Sequence, residues 1–280
     1  MNLIETALLL LLGLFAGAYG TVVGAGGGFI IVPALAWVPA YAEHSAEAIT
    51  GVSLVAVVCS AVSAVIAYSR QRRIDVGVAL TLGAFALPGS VLGRILVSRL
   101  DRRLFEVLFG ALLVAIAVYL VVRRPPQHAP AGTSPPPWGV VRRQYVVGAH
   151  VETVDVDLRV GALVSFVIGV LAALFGVGGG LMMTPSMVAL MSIPASIATA
   201  TSQLYLLTTS AISVAADILN GGDSPLDHLD LALPLALGVV LGAQAGAALS
   251  RRLSARWIIR LLAAALGMVG ARLMWAGLGS

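Results

Sequence analysis

The chain alternates between long apolar segments and short polar stretches, and the lengths of the apolar segments predict membrane-spanning helices. No charged residue lies between Glu5 and Glu43, an interval about twice as long as the ~20 residues that an α-helix needs to cross a bilayer. Five apolar segments precede a polar central stretch, and five follow it. The segments are residues 3–21, 29–37, 48–68, 76–97, 105–122, 161–175, 181–192, 195–219, 231–249 and 258–275. This pattern predicts an all-α, polytopic membrane protein.

The composition agrees with a membrane protein and excludes a nucleic-acid-binding one. Hydrophobic residues make up 59% of the 280 residues, charged residues make up 11%, and the mean hydropathy is +0.98. The net charge is +4, but the basic residues form short clusters between apolar segments, as is typical of charges that orient membrane spans. The lipid bilayer is therefore the expected surrounding, and Cys59, the single cysteine, allows no internal disulfide.

A polar linker divides the chain into two transmembrane repeats, residues 1–122 and 160–280. The linker, residues 123–159, holds six of the 13 prolines and five arginines and has no long apolar run. Its proline-rich beginning predicts an extended segment. Residues 151–157 alternate between apolar and polar positions and are expected to pair with residues 140–147 as a small hairpin.

Each repeat contains a glycine cluster inside an apolar run, and the two clusters hold matching positions. The first glycine cluster is residues 24–28 (GAGGG) and the second is residues 176–180 (GVGGG); Pro33 and Pro185 follow them at the same distance. Three adjacent glycines weaken a helix by about 1 kcal/mol each relative to alanine. Non-helical backbone at membrane depth persists only where protein buries it or where it lines a cavity. Two such breaks in corresponding places predict the binding site of a transporter.

The direction of the two repeats follows from the arginines. If every segment crosses the membrane, the linker shares one side with the arginines of residues 70–73 and 251–260, and that side holds twelve of the 17. If each glycine-broken pair crosses only once, the split is nine to eight. Because basic residues concentrate on the cytoplasmic side, the distribution favours inverted repeats with a cytoplasmic linker and both termini outside.

The candidate site is an anion site built from backbone N–H groups and neutral side chains. The N–H groups and the dipole at the start of a helix favour a negative charge, and nearby hydroxyl and amide groups add donors. The substrate-binding candidates are Gly26, Gly27, Gly28, Thr50, Ser53, Gly178, Gly179, Gly180, Thr199, Ser202 and Gln203. In the alternative interpretation the glycines only pack helices and the hydroxyl groups only cap helix starts. The side-chain amide of Gln203 then only forms a hydrogen bond between two helices. The sequence has no P-loop, no catalytic motif and no metal-ligand spacing among its histidines, so no enzyme activity, cofactor or metal is expected.

The paired glycine clusters, each with its proline and a later Thr-x-x-Ser helix start, resemble the TauE/SafE sulfite exporters. The likeness covers the chain apart from the linker. It implies a bacterial inner-membrane transporter of small sulfur-containing anions, typically sulfite or organosulfonates, usually directed outward. The alternative function is a membrane scaffold or assembly factor. The Gly89/Gly93 and Gly242/Gly246 pairs have GxxxG spacing, which permits close helix contact and suggests a homodimer.

The arginine distribution predicts that the linker is cytoplasmic and that the acidic loop at residues 220–230 is external. Cysteines introduced at His128 and at Asp223 should therefore react with a membrane-impermeant maleimide from opposite sides of the membrane. Labelling of both positions from the same side would contradict the inverted arrangement.

Overall fold

The computed structural model describes residues 3–37, 46–97, 102–122, 137–147, 150–175, 179–219 and 228–279. In this part the chain forms ten helices and one two-stranded hairpin. In chain order they are α1 (Leu3–Val23), α2 (Gly28–Trp37), α3 (Ala46–Arg70), α4 (Val76–Val97), α5 (Arg102–Val122), β1 (Val140–Val147), β2 (His150–Asp157), α6 (Leu158–Phe175), α7 (Gly180–Ala189), α8 (Ala195–Leu219), α9 (Leu229–Arg252) and α10 (Ala255–Gly279).

The observed helices confirm the prediction of an all-α, polytopic membrane protein with helices broken at the glycine clusters. Four helices in the described part are long and apolar enough to cross a membrane: Leu3–Val23, Gly51–Arg70, Leu229–Arg252 and Ala255–Trp275. In the first repeat α1 ends at Val23 and α2 begins at Gly28. In the second repeat α6 ends at Phe175 and α7 begins at Gly180.

The first helix break is a glycine-dependent cap. Gly24, Gly26 and Gly27 have φ values of +83°, +75° and +82°, a left-handed conformation that side chains with a Cβ rarely adopt. The N–H groups of Gly24 and Ala25 both donate to the carbonyl oxygen of Gly20, at 2.8 Å. This cap satisfies a carbonyl at the end of α1, which would otherwise lie unpaired among apolar helices.

Helices α1 and α9 pack with their backbones in contact because glycines lie along the seam. A Cβ atom added to Gly17 would lie 2.7 Å from the Cα of Val239, and one added to Gly242 would lie 2.8 Å from the backbone nitrogen of Ala18 and closer still to Leu14. Small residues allow this approach, which increases the van der Waals contact between helices in lipid.

Helices α4 and α6 make the same kind of contact. Helix α6 is the counterpart of α1 in the second repeat, and α4 is the counterpart of α9 in the first. Gly169 faces the backbone of Ala86, and Gly89 faces that of Phe166. Positions in α1 and α6 correspond at an offset of 152, and positions in α4 and α9 at an offset of 153. The contact of Gly169 with Ala86 therefore matches that of Gly17 with Val239. The contact of Gly89 with Phe166 matches that of Gly242 with Leu14. The two repeats therefore pack on each other at corresponding positions, with glycine kept at each point of closest approach.

Contacts between helices give their relative directions. Two pairs, α1 with α9 and α4 with α6, run parallel, because higher residue numbers in one helix face higher numbers in the other. Helix α3 runs parallel to α9 and antiparallel to α8, and α8 runs parallel to α4. Helices α5 and α10 run antiparallel. Each of the four long helices of one repeat is thus antiparallel to its counterpart, which supports inverted repeats; the arrangement across a membrane stays a prediction.

The glycine pairs that suggested a homodimer are used inside the chain. Gly89 contacts α6, while Gly242 and Gly246 contact α1. Gly93 lies outside the residues whose side-chain environment is described. The spacing of these glycines therefore gives no support for a homodimer.

The hairpin forms between the two stretches of the linker where alternation indicated it. Its antiparallel register pairs Val140 with Asp157 and Val147 with His150. Val154 and Val156 are buried on the face that packs against the helices. On the exposed face the Arg142 guanidinium bonds to Asp155 at 2.8 Å and lowers the pKa of that carboxyl.

The glycine seam predicts opposite effects for two Gly→Ala substitutions. Gly242→Ala should lower the thermal unfolding temperature, because overpacking a tight contact costs roughly 1–3 kcal/mol. Gly267→Ala is the matched control, since its added Cβ would lie 3.9 Å from the Cβ of Ala117, an ordinary contact, and alanine favours the helix. The unfolding temperatures of both variants are measured in mild detergent. An equal temperature for Gly242→Ala and Gly267→Ala would contradict the tight backbone contact between α1 and α9.

Candidate functional site

A chain of hydroxyl groups from the second repeat reaches the first helix break. Thr184 Oγ1, on α7, donates to Ser202 Oγ, on α8, at 2.8 Å. Ser202 Oγ lies 2.9 Å from the carbonyl oxygens of both Gly24 and Thr199, and its hydrogen is shared between them. All of these groups are buried. Ser202 therefore joins the first break to α8 instead of only bonding to its own helix.

The two glycine clusters meet at this point. A Cβ atom added to Gly180 would lie 3.1 Å from the carbonyl oxygen of Gly24, so the first turn of α7 lies against the first break. Added Cβ atoms on Gly24 would collide with the hydroxyls of Ser202 and Thr184. Glycine is thus required at Gly24 both by its positive φ and by the close approach of these side chains.

Gln203 contacts the same break through its side-chain amide, whose nitrogen is hydrogen-bonded and whose oxygen is not. Its Nε2 donates to the carbonyl oxygen of Gly20 at 3.2 Å. Its Oε1 is buried and has no hydrogen-bond partner within the described residues. Gly20 in turn lies against Gly27, whose Cα would be 2.7 Å from a Cβ added to Gly20. The amide of Gln203 is therefore close to the start of α2.

The start of α2 presents backbone N–H groups that have no hydrogen-bond acceptor among the described residues. Ile30 and Ile31 donate to the carbonyl of Gly27, which places Gly27 as the N-terminal cap. Within the described part of the chain, no hydrogen bond engages the N–H of Gly27, Gly28 or Phe29, and all three residues are buried. A buried unpaired N–H is unfavourable, so this arrangement fits a site for a ligand with acceptor atoms.

The other predicted site residues differ in what they contact. Gly26 packs against Leu206 and Val57, and Gly179 packs against the ring of Tyr205. Thr199 Oγ1 bonds within its own helix, to the carbonyl of Ser196. Ser53 is buried in α3. The Thr50 side chain and Gly178 lie outside the described residues.

Sequence reasoning missed Thr184 and Tyr205, which belong to the same region. The hydroxyl of Tyr205 is buried, without a hydrogen bond in the described part, and lies 2.9 Å from a Cβ added to Gly179. A comparison of the repeats marks both residues. Val32, 152 positions before Thr184, and Ala56, 149 positions before Tyr205, are their counterparts in the first repeat; the smaller offset holds for α3 and α8, because the loop before α8 is three residues shorter. Among the described residues no group of three His, Cys, Asp or Glu side chains is placed to hold a metal ion.

A bundle of apolar helices in which two helix breaks meet around buried polar groups has the architecture of a membrane transporter. Residues 9–273 match the family model described as sulfite exporter TauE/SafE. The chain therefore belongs to the TauE/SafE family, a family of membrane transporters and not of enzymes.

Curated relatives agree with the family assignment. The chain is 28% identical over 278 residues to "Probable membrane transporter protein YunE" of Bacillus subtilis, covering 97% of this chain and 98% of that protein. It is 24% identical to "Probable membrane transporter protein MJ0441" of Methanocaldococcus jannaschii, covering 64% of this chain and 60% of that one. A membrane transporter protein of Xylella fastidiosa is 30% identical over 39% of this chain and 42% of its own length. No solved structure matches the chain.

The hydroxyl chain predicts that Ser202→Ala destabilises the protein. The substitution removes the 2.8 Å hydrogen bond of Thr184 and leaves the Gly24 carbonyl with the longer contact to Thr184 Oγ1, at 3.3 Å; losing hydrogen bonds of ordinary net strength costs about 0.5–1.5 kcal/mol each. The control is Ser186→Ala, because Ser186 Oγ bonds only to the Met182 carbonyl of its own helix. Thermal unfolding should separate the two variants; equal unfolding temperatures would contradict a structural role for the Ser202 contact.

Proposed function

We propose that the protein is a secondary transporter, an exporter of a small sulfur-containing anion such as sulfite or an organosulfonate, in a bacterial inner membrane. The anion binds between the N-termini of α2 and α7, near the middle of the bilayer. The observation that carries the proposal is the set of buried N–H groups at Gly27, Gly28 and Phe29, for which the described residues offer no acceptor. Sulfur oxyanions present several acceptor oxygens in a compact shape.

The binding energy in this proposal comes from dipoles and hydrogen bonds. No charged residue appears among the fully buried polar side chains of the described part. A helix N-terminus stabilises an anion by roughly 0.3–1 kcal/mol, and by up to about 2 kcal/mol when partly buried. Two such termini give a site of moderate strength, which suits a transporter because the anion must also be released.

Gln203 favours a transporter over a membrane scaffold. A scaffold gains nothing from a buried amide oxygen without a donor, and leaving such a group unsatisfied costs about 1–3 kcal/mol. Leu54, at the matching position of the first repeat, shows that an apolar side chain suits this place in the repeat. In the proposed site the second hydrogen of Gln203 Nε2 donates to an oxygen of the bound anion, and Oε1 accepts from a protonated form such as hydrogensulfite.

The membrane arrangement in this proposal is that of inverted repeats with the linker in the cytoplasm. The antiparallel directions of the matched helices support it, as does the arginine distribution of the sequence. Inverted repeats with discontinuous helices at their interface are a recurrent transporter design, in which half-helix N-termini face anionic substrate groups.

The proposal predicts an order of effects on anion flux. Gly27→Val and Gly179→Val should abolish flux, because Gly27 has a positive φ and a Cβ on Gly179 meets the Tyr205 ring at 3.0 Å. Ser202→Ala should reduce flux less. Arg94→Gln should reduce it least, because this arginine lies near the end of the apolar segment at residues 76–97 and the proposed site uses no charged side chain. Flux is measured in proteoliposomes with labelled sulfite, sulfate, thiosulfate and an organosulfonate, at matched protein content.

The matched control for both glycine variants is Gly267→Val, which lies in an open contact of α10 and should retain flux. Loss of flux in Arg94→Gln, with flux retained in both glycine-cluster variants, would replace this site by an arginine-based one. Absence of flux for every anion with the unsubstituted protein would favour the scaffold function.

A further inference from the structure

Besides its apolar packing on the helices, the linker hairpin makes polar contacts with one carboxylate at the start of α4, that of Asp75. The hydroxyl of Tyr145, in β1, donates to Asp75 Oδ2 at 3.0 Å, and the Nε of Arg143 lies 3.2 Å from the same oxygen. Tyr145 is buried, and this burial raises the pKa of its phenol, so the hydroxyl stays protonated and able to donate. The face of the hairpin that carries Tyr145 and Arg143 thus holds the start of α4.

Asp75 also contacts α4 and α8. Its Oδ1 accepts a hydrogen bond from the N–H of Val78 at 3.0 Å, capping the first turn of α4. Its own N–H donates to Thr201 Oγ1 at 3.1 Å. Thr201 is buried and directly precedes Ser202, whose hydroxyl bonds to the Gly24 carbonyl. A continuous set of contacts therefore runs from the hairpin to the first glycine break.

The same end of the bundle is closed by further polar contacts. Arg73, just after α3, donates from its Nη2 to the carbonyl of Ser196 at 2.7 Å, which ties the end of α3 to the start of α8. The hydroxyl of Tyr68 donates to the carbonyl of Thr21 at 3.0 Å, which ties α3 to the end of α1. Tyr68 and Thr21 are both buried, so the described residues cover this side of the first break.

We propose that the hairpin closes this end of the bundle, with Asp75 and Thr201 as positioning residues that link its attachment to Ser202 and the first break. The proposal rests on the proposed function, since a transporter must open its site to one side at a time. Release of Tyr145 and Arg143 frees the start of α4 and of α8 to move, and passage of the anion at this end requires that movement.

The test measures how easily the sealed region opens. A Thr21→Cys reporter in a Cys59→Ala background is suitable, because Thr21 is buried and its Oγ1 has no hydrogen-bond partner in the described part of the chain. The rate of reaction with a polar maleimide is measured in detergent, and labelled-sulfite flux is measured in proteoliposomes. Tyr145→Phe and Thr201→Val should each raise the labelling rate roughly fivefold, the change expected when one hydrogen bond of ordinary net strength is lost.

A neighbouring residue of the hairpin provides the matched control. Arg143→Gln removes the ion pair with Asp75 and should also raise the labelling rate. Arg142→Gln removes the exposed pair with Asp155 on the other face of the hairpin and should not. Equal labelling in Tyr145→Phe, Thr201→Val and the parent, or an equal increase in Arg142→Gln, would overturn the proposal. If Tyr145→Phe is not monodisperse, Thr201→Val decides, because it leaves the hairpin intact. A changed labelling rate without flux of any anion would reject the transport function and keep the closing role of the hairpin.

Discussion

The structure depends on how the backbone of a broken helix is satisfied inside an apolar bundle. At the first glycine cluster the carbonyl of Gly20 is paired by the cap and by Gln203, and the carbonyl of Gly24 is paired by Ser202. Lipid supplies no water for these groups, so α8 must lie beside the break and bring its polar side chains to it. The protein therefore pairs these two carbonyl groups itself, whereas the N–H groups at the start of α2 have no acceptor among the described residues, and it is there that the proposed anion binds.

Close packing of the outer helices makes this arrangement possible. The seams of α1 with α9 and of α4 with α6 place backbone against backbone, because glycine occupies positions such as Gly17 and Gly169. These seams hold the broken helices on either side of α8, which contacts α3, α4 and α7. The short helices α2 and α7, ten residues each, would be marginal in isolation and are fixed by this frame.

The sequence predicts the fold better than the site, for a physical reason. Glycine runs and apolar lengths act locally, so the helix break at residues 24–28 and the span at Ala195–Leu219 are found where the pattern places them. The partner of a hydroxyl depends on which helix lies opposite. The Thr199 hydroxyl bonds to the Ser196 carbonyl of its own helix, while the Ser202 hydroxyl, three residues later, also reaches the Gly24 carbonyl. The pattern could not separate these two residues.

The two repeats are alike at the positions where helices pack and differ at some of the buried polar positions. Positions that pack are shared between the repeats, as Gly17 and Gly169 are, because both halves must approach each other equally closely. Of the polar groups at the first break, Ser202 has a counterpart in Ser53, but two others are not shared: the second repeat supplies Thr184 and Gln203 where the first has Val32 and Leu54. A buried polar side chain carries a desolvation cost, so nothing in packing alone favours keeping it in one repeat only. The asymmetry at these two positions therefore agrees with the proposed anion site, which needs polar groups that the packing of the helices does not.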